Sequence, residues 1–202
     1  MRNRALLAIV LVGFLALTAR ALSRFSYFEF LEAATANAVV SVLFFDLVIC
    51  LGLIAVWIHQ DARRLGISPW PYIALGASFG AAGPLLYLLR RPASGQSFEI
   101  PRAAPRLWLP VLVAFSLATA VAIYLHGYTA FVTYALANEA TQLLFVDLAI
   151  NLLLVLAGMI GDARSRGASY VPYLVLALLF GSVGPLLYLV SRRTGRNAPQ
   201  IA

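Results

Sequence analysis

The chain has 202 residues, of which 62% are hydrophobic and 11% charged, with a formal net charge of +7 and no lysine. That composition excludes a water-soluble globular domain, which is about 45–50% apolar and roughly 25% charged. The arginines fall between and after the apolar stretches, so topology control and anionic headgroups account for the positive charge, and nucleic acid is excluded as a partner.

Apolar runs occupy 5–21, 38–58, 70–89, 107–125, 140–160 and 170–190. Each approaches the roughly 20 helical residues that a hydrocarbon core of about 30 Å requires. The expected fold class is therefore an all-α integral membrane protein of about six transmembrane helices. The first run follows Arg2 and Arg4 and ends at Ala19-Arg20-Ala21, which also reads as a secretory signal. Its counterpart at 107–125 lies too far into the chain for a signal, so both are taken as membrane helices.

The second run opens after Asn37 and the fifth after Asn138, both suited to helix N-caps. Asp46 and Asp147 lie about eight residues, roughly 12 Å, into those helices. A carboxylate at such depth costs up to about 2.5–3.5 kcal/mol and must face protein or water. With Asn151, one helical turn beyond Asp147, they form a candidate intramembrane polar site; the alternative is a carboxylate that binds a neighbouring helix or caps a broken one. Cys50 shares the Asp46 face and, as the lone cysteine, reads as a packing residue. Glu32 and Glu139 near the helix starts are not repeat partners of one another.

At the ends of these runs, Asp61, Arg63 and Arg64, and later Asp162 and Arg164, are candidate contacts for a headgroup or another anion, with a topology-setting turn and an exposed ion pair as the plainer reading. The third run carries Gly76, Gly80 and Gly83 at small-residue spacing, and Gly181 and Gly184 echo them. Pro84 and Pro185 are expected to kink their helices near the preceding glycines. Tyr72, Tyr87, Tyr173, Tyr188, Trp70 and Trp108 read as interfacial anchors. The sequence holds no glycine loop for phosphate, no serine nucleophile motif and no His/Cys cluster with metal spacing, so no cofactor is expected.

A shift of 101 positions maps Asp46 onto Asp147, Asp61-Ala62-Arg63 onto Asp162-Ala163-Arg164, and Gly83-Pro84-Leu85-Leu86-Tyr87-Leu88 onto Gly184-Pro185-Leu186-Leu187-Tyr188-Leu189. The predicted organisation is a three-helix repeat over 1–91, a polar Pro-rich linker over 92–106, a second repeat over 107–193 and a polar tail over 194–202. Three crossings per unit make the expected arrangement an inverted pair. The arginines then divide almost evenly between the two faces, and the charge bias assigns no orientation.

The run Asn37, Phe45-Asp46-Leu47, Asp61-Ala62-Arg63-Arg64-Leu65-Gly66, Gly83-Pro84-Leu85-Leu86-Tyr87-Leu88 and Arg91 resembles the three-span bacterial membrane family known as domain of unknown function 2834. That resemblance implies a tandem duplication of the family unit and a place in the bacterial cytoplasmic (inner) membrane. Trp57, Asp61, Arg63, Gly66 and the Gly-Pro-Leu-Leu-Tyr ending are also similar to the abscisic-acid-deficient-four-like membrane proteins of neoxanthin biosynthesis. Three functions are open at this point: a proton-linked or small-solute transporter built on the paired Asp, an isoprenoid- or carotenoid-modifying enzyme, and a structural or accessory subunit. Membrane lipids are the expected partners, with a small solute, proton or isoprenoid as ligand and a homo-oligomer left open.

Overall fold

The computed structural model describes residues 2–92 and 105–192, and side chains over 4–92 and 108–192. Every element is α-helical: α1 (Arg2–Leu22), α2 (Tyr27–Thr35), α3 (Ala38–Arg64), α4 (Trp70–Phe79), α5 (Ala82–Arg90), α6 (Pro105–His126), α7 (Ala130–Ala135), α8 (Glu139–Ser165), α9 (Val171–Phe180) and α10 (Val183–Ser191). Among them α1, α3, α6 and α8 are long and apolar enough to cross a membrane. The linker proper, 93–104, and the tail from 193 onward lie outside the described residues, and α6 begins at Pro105, just before the second repeat was expected to open.

α3 and α8 form the central pair, each 27 residues and therefore about 40 Å long. Their starts are fixed by asparagine caps: Asn37 Oδ1 accepts from the Val39 and Val40 amides, both at 3.0 Å. Asn138 Oδ1 accepts from Thr141 at 2.9 Å. Short helices that the hydrophobic pattern did not reveal, α2 and α7, lead into them. Ser26 and Glu29 close a capping box at the start of α2, which explains its existence in a stretch that reads as a connecting turn.

The third apolar run of each half is not one helix. α4 and α5 fold back on one another as an antiparallel hairpin: Tyr72 stacks edge-on against Tyr87 at 5.2 Å, and a Cβ at Gly83 would collide with the backbone of Tyr72 and Gly76. α9 and α10 do the same, with Tyr173 against Tyr188 at 5.3 Å and Gly184 against Tyr173 and Ala177. Six continuous spanning helices are therefore not found among the described residues: each arm of nine or ten residues covers only about 15 Å, half of a bilayer core.

The inverted arrangement is corrected too. Glu139, at the start of α8, pairs with Arg20 and Arg24 at the end of α1, at 2.9 and 2.7 Å. Arg4, at the start of α1, donates to the Arg91 carbonyl after α5 at 3.0 Å. The end of α1 and the starts of α3 and α8 therefore share one end of the molecule, and α3 and α8 run parallel. The packing repeats crosswise in the same sense: α1 lies on α5 and α8, while α6 lies on α10 and α3. Phe14 and Ala21 pack with Ala82 and Leu143, as Phe115 and Ala122 pack with Val42 and Val183.

Candidate intramembrane carboxylate site

Both hairpins turn at a glycine with positive φ, 53° at Gly80 and 59° at Gly181. Each turn leaves the first amides of the returning helix without an intrahelical acceptor. A carboxylate from the other half of the chain supplies one. Asp147 Oδ1, on α8, accepts from the Ala81 amide at 2.6 Å, and Asp46 Oδ1, on α3, accepts from the Ser182 amide at 2.8 Å. The Ser182 hydroxyl also donates to Asp46 Oδ1. Both aspartates are buried, and each carboxylate occupies the space that a Cβ at the facing glycine would take.

Asp46 and Asp147 thus each bind a hairpin tip from the other half of the chain, as a carboxylate that caps a broken helix would. Asn151 belongs to the same cluster: its amide donates to the Asp147 carboxylate at 2.8 Å and to the Asp147 carbonyl at 2.9 Å, while its own Oδ1 is buried and meets no donor among the described residues. Cys50, its counterpart in α3, lies 3.2 Å from the Ser182 hydroxyl. A Cβ at Gly76 would lie 3.5 Å from Pro84, which stands in the returning arm just past the turn and does not kink a continuous helix. Gly184 and Pro185 hold the equivalent places in α10.

Asp61 and Asp162 are not exposed at the headgroups as expected. Both are buried at the open ends of the hairpins. Asp61 receives Arg91 through Nε at 2.7 Å and Nη2 at 2.9 Å, a bidentate pair, and the Tyr87 hydroxyl at 2.6 Å. Trp57 lies edge-on to Tyr87 at 5.3 Å and under the Arg91 guanidinium at 5.8 Å. Asp162 receives Tyr188 at 2.5 Å, Arg192 at 3.2 Å and Arg166 at 3.1 Å. Arg63, Arg64 and Arg164 are exposed, as an interfacial role requires. Arg164 lies over the Tyr170 ring at 5.4 Å.

Tyr87 and Tyr188 are consequently buried lids on the aspartates and not interfacial anchors, whereas Trp70 is exposed. Sequence reasoning also missed Arg91, Arg166 and Arg192 as aspartate partners. The signal was present: an Asp, a Tyr 26 residues later and an Arg 30 residues later recur in both halves. Without the fold-back, that separation places the groups at opposite membrane faces.

Residues 4–92 match the family model described as protein of unknown function DUF2834. No curated protein and no solved structure matches the chain.

Proposed function

We propose that the chain is two parallel copies of one membrane unit, and that the carboxylate-capped hairpin tips form a proton-linked gate for a small solute. In this reading α1, α3, α6 and α8 cross the membrane and the two hairpins re-enter from one face. Two crossings per unit is an even number, so both units enter from the same side, related by an axis along the membrane normal. Charge supports this. Arg4, Arg63, Arg64, Arg90, Arg91, Arg164, Arg166 and Arg192 gather at the end where the hairpins open, against Arg20 and Arg24 at the other. Positive-inside bias then makes the hairpin mouths cytoplasmic, in a bacterial inner membrane.

The observation that carries the gate is the reciprocal hold of Asp46 on Ser182 and Asp147 on Ala81. Non-helical backbone at membrane depth persists only where protein or a water-filled cavity satisfies it. A carboxylate accepting from an amide makes a bond about twice as strong as a neutral acceptor does. Protonation weakens both clasps, and each clasp joins one unit to the other. A proton arriving at either aspartate therefore loosens a contact between the halves. The isoprenoid enzyme is less well supported: the apolar groove between α3 and α4, lined by Val48, Ile54, Tyr72 and Pro84 among others, has no carboxylate in its wall.

Proton entry into pyranine-loaded proteoliposomes under an imposed membrane potential tests the reading. Asparagine keeps an acceptor at each tip while removing the ionisable group. Flux in the wild-type protein and its loss in Asp46→Asn with Asp147→Asn is the expected result; a wild-type protein without flux, or a double variant with undiminished flux, overturns it.

A further inference from the structure

The two halves differ at the open end of the hairpin, where the second half builds an arginine-lined groove. The groove is lined by Arg166, Ser169, Tyr173, Tyr188, Ser191 and Arg192 among others. In the first half, Asp61 is matched among the described residues by the guanidinium of Arg91, and Leu65 stands where the second half has Arg166. In the second half two guanidiniums share one carboxylate, so Asp162, Arg166 and Arg192 together carry a net positive charge. Position 57 supplies an indole against Arg91, while the corresponding position 158 is glycine.

We infer that this groove binds a phosphate-bearing anion. Arg166 directs Nε at Asp162, and its Nη groups make no hydrogen bond among the described residues. Those groups are the fork that suits a tetrahedral oxyanion. Across the groove the Tyr173 hydroxyl and Ser191 Oγ lie 2.8 Å apart, and Ser191 Oγ is also within donating distance, 3.1 Å, of the Tyr188 carbonyl, so the pair can turn one hydroxyl proton toward an anion, with Ser191 donating to Tyr173. α9 starts at the same groove, its N-cap residue Tyr170 makes no side-chain cap, and Pro172 stands in its first turn. The positive end of that helix adds to the attraction for an anion. The C-terminal end of α8, which immediately precedes Arg166, opposes it.

A phosphate can come from a lipid headgroup or from solution, and full-length protein in dodecyl maltoside separates the two. One arm titrates phosphatidylglycerol against phosphatidylcholine of the same acyl chains by native mass spectrometry. The other follows the melting temperature with inorganic phosphate in lipid-free micelles. Arg166→Leu recreates the first half and is expected to weaken saturable binding about tenfold, the equivalent of roughly one charge-assisted hydrogen bond. Arg166→Gln is read in its place if the leucine variant is not monodisperse, and Arg63→Gln with Arg64→Gln serves as the control for diffuse charge. Loss in the phosphatidylglycerol arm identifies a headgroup, and loss in the phosphate arm a soluble anion. Saturable binding in neither arm, equal binding by wild type and the Arg166 variant, or an equal loss in the control overturns the inference.

Discussion

At the scale of single residues, the four buried aspartates fall into two kinds. Asp46 and Asp147 meet hairpin-tip amides, supplemented by a hydroxyl or an amide side chain, whereas Asp61 and Asp162 meet guanidinium and phenol groups. For the second kind the cost of breaking the set exceeds the benefit of having made it, because a buried charge left alone keeps its desolvation penalty. The side chains of Arg91 and Asp61 are only 13% and 8% exposed. Arg91→Ala is therefore expected to destabilise the protein by about 3 kcal/mol, with Arg91→Gln plus Asp61→Asn recovering much of the loss. A thermal-melting double-mutant cycle in micelles checks this, and additive losses would show that the pair is uncoupled. The aspartates themselves were legible as exceptional, since oil rejects a carboxylate. Their partners were harder to read: the Asp–Tyr–Arg spacing recurs in both halves but becomes a contact only through the fold-back, and a partner 136 residues away leaves no local mark.

At the scale of elements, the hairpin is the feature that shapes the molecule. A run such as 70–89 satisfies the length rule for a span, yet it folds as two half-depth arms. Gly80 and Gly181 permit the reversal, and Gly83 and Gly184 let the arms touch backbone to backbone. Gly181→Ala is expected to cost about 3 kcal/mol, since the conformation suits glycine alone and the new methyl meets the Asp46 carboxylate. Gly52→Ala, whose Cβ would meet nothing within 4 Å, is expected to be neutral or stabilising. Melting temperatures of the two variants in the same detergent settle the comparison; equal behaviour would mean that the Gly181 turn is not under this constraint. Glycine, proline and small-residue spacing together signalled a disturbance in the third run. They did not distinguish a kink from a reversal.

At the scale of the whole molecule, the parallel placement of α3 and α8 makes a plain topological prediction. In a Cys50→Ala background, single cysteines at Arg63 and Arg164 are expected to react with an impermeant maleimide from the cytoplasmic side, and one at Tyr128 from the opposite side. Labelling of positions 63 and 164 from opposite faces would refute the parallel arrangement. The sequence by itself determined the membrane class, the long helices with their asparagine caps, and the gathering of arginine at the helix ends, all of which depend on hydrophobic length and local hydrogen bonding. Only the tertiary structure decided that the third runs double back, that α3 and α8 run parallel, and that each deep carboxylate caps a hairpin in the other half of the chain. An apolar stretch of twenty residues is equally content as one crossing or as two half-depth arms. The choice falls to the unpaired amides at the turn, and their acceptor lies in a distant part of the chain.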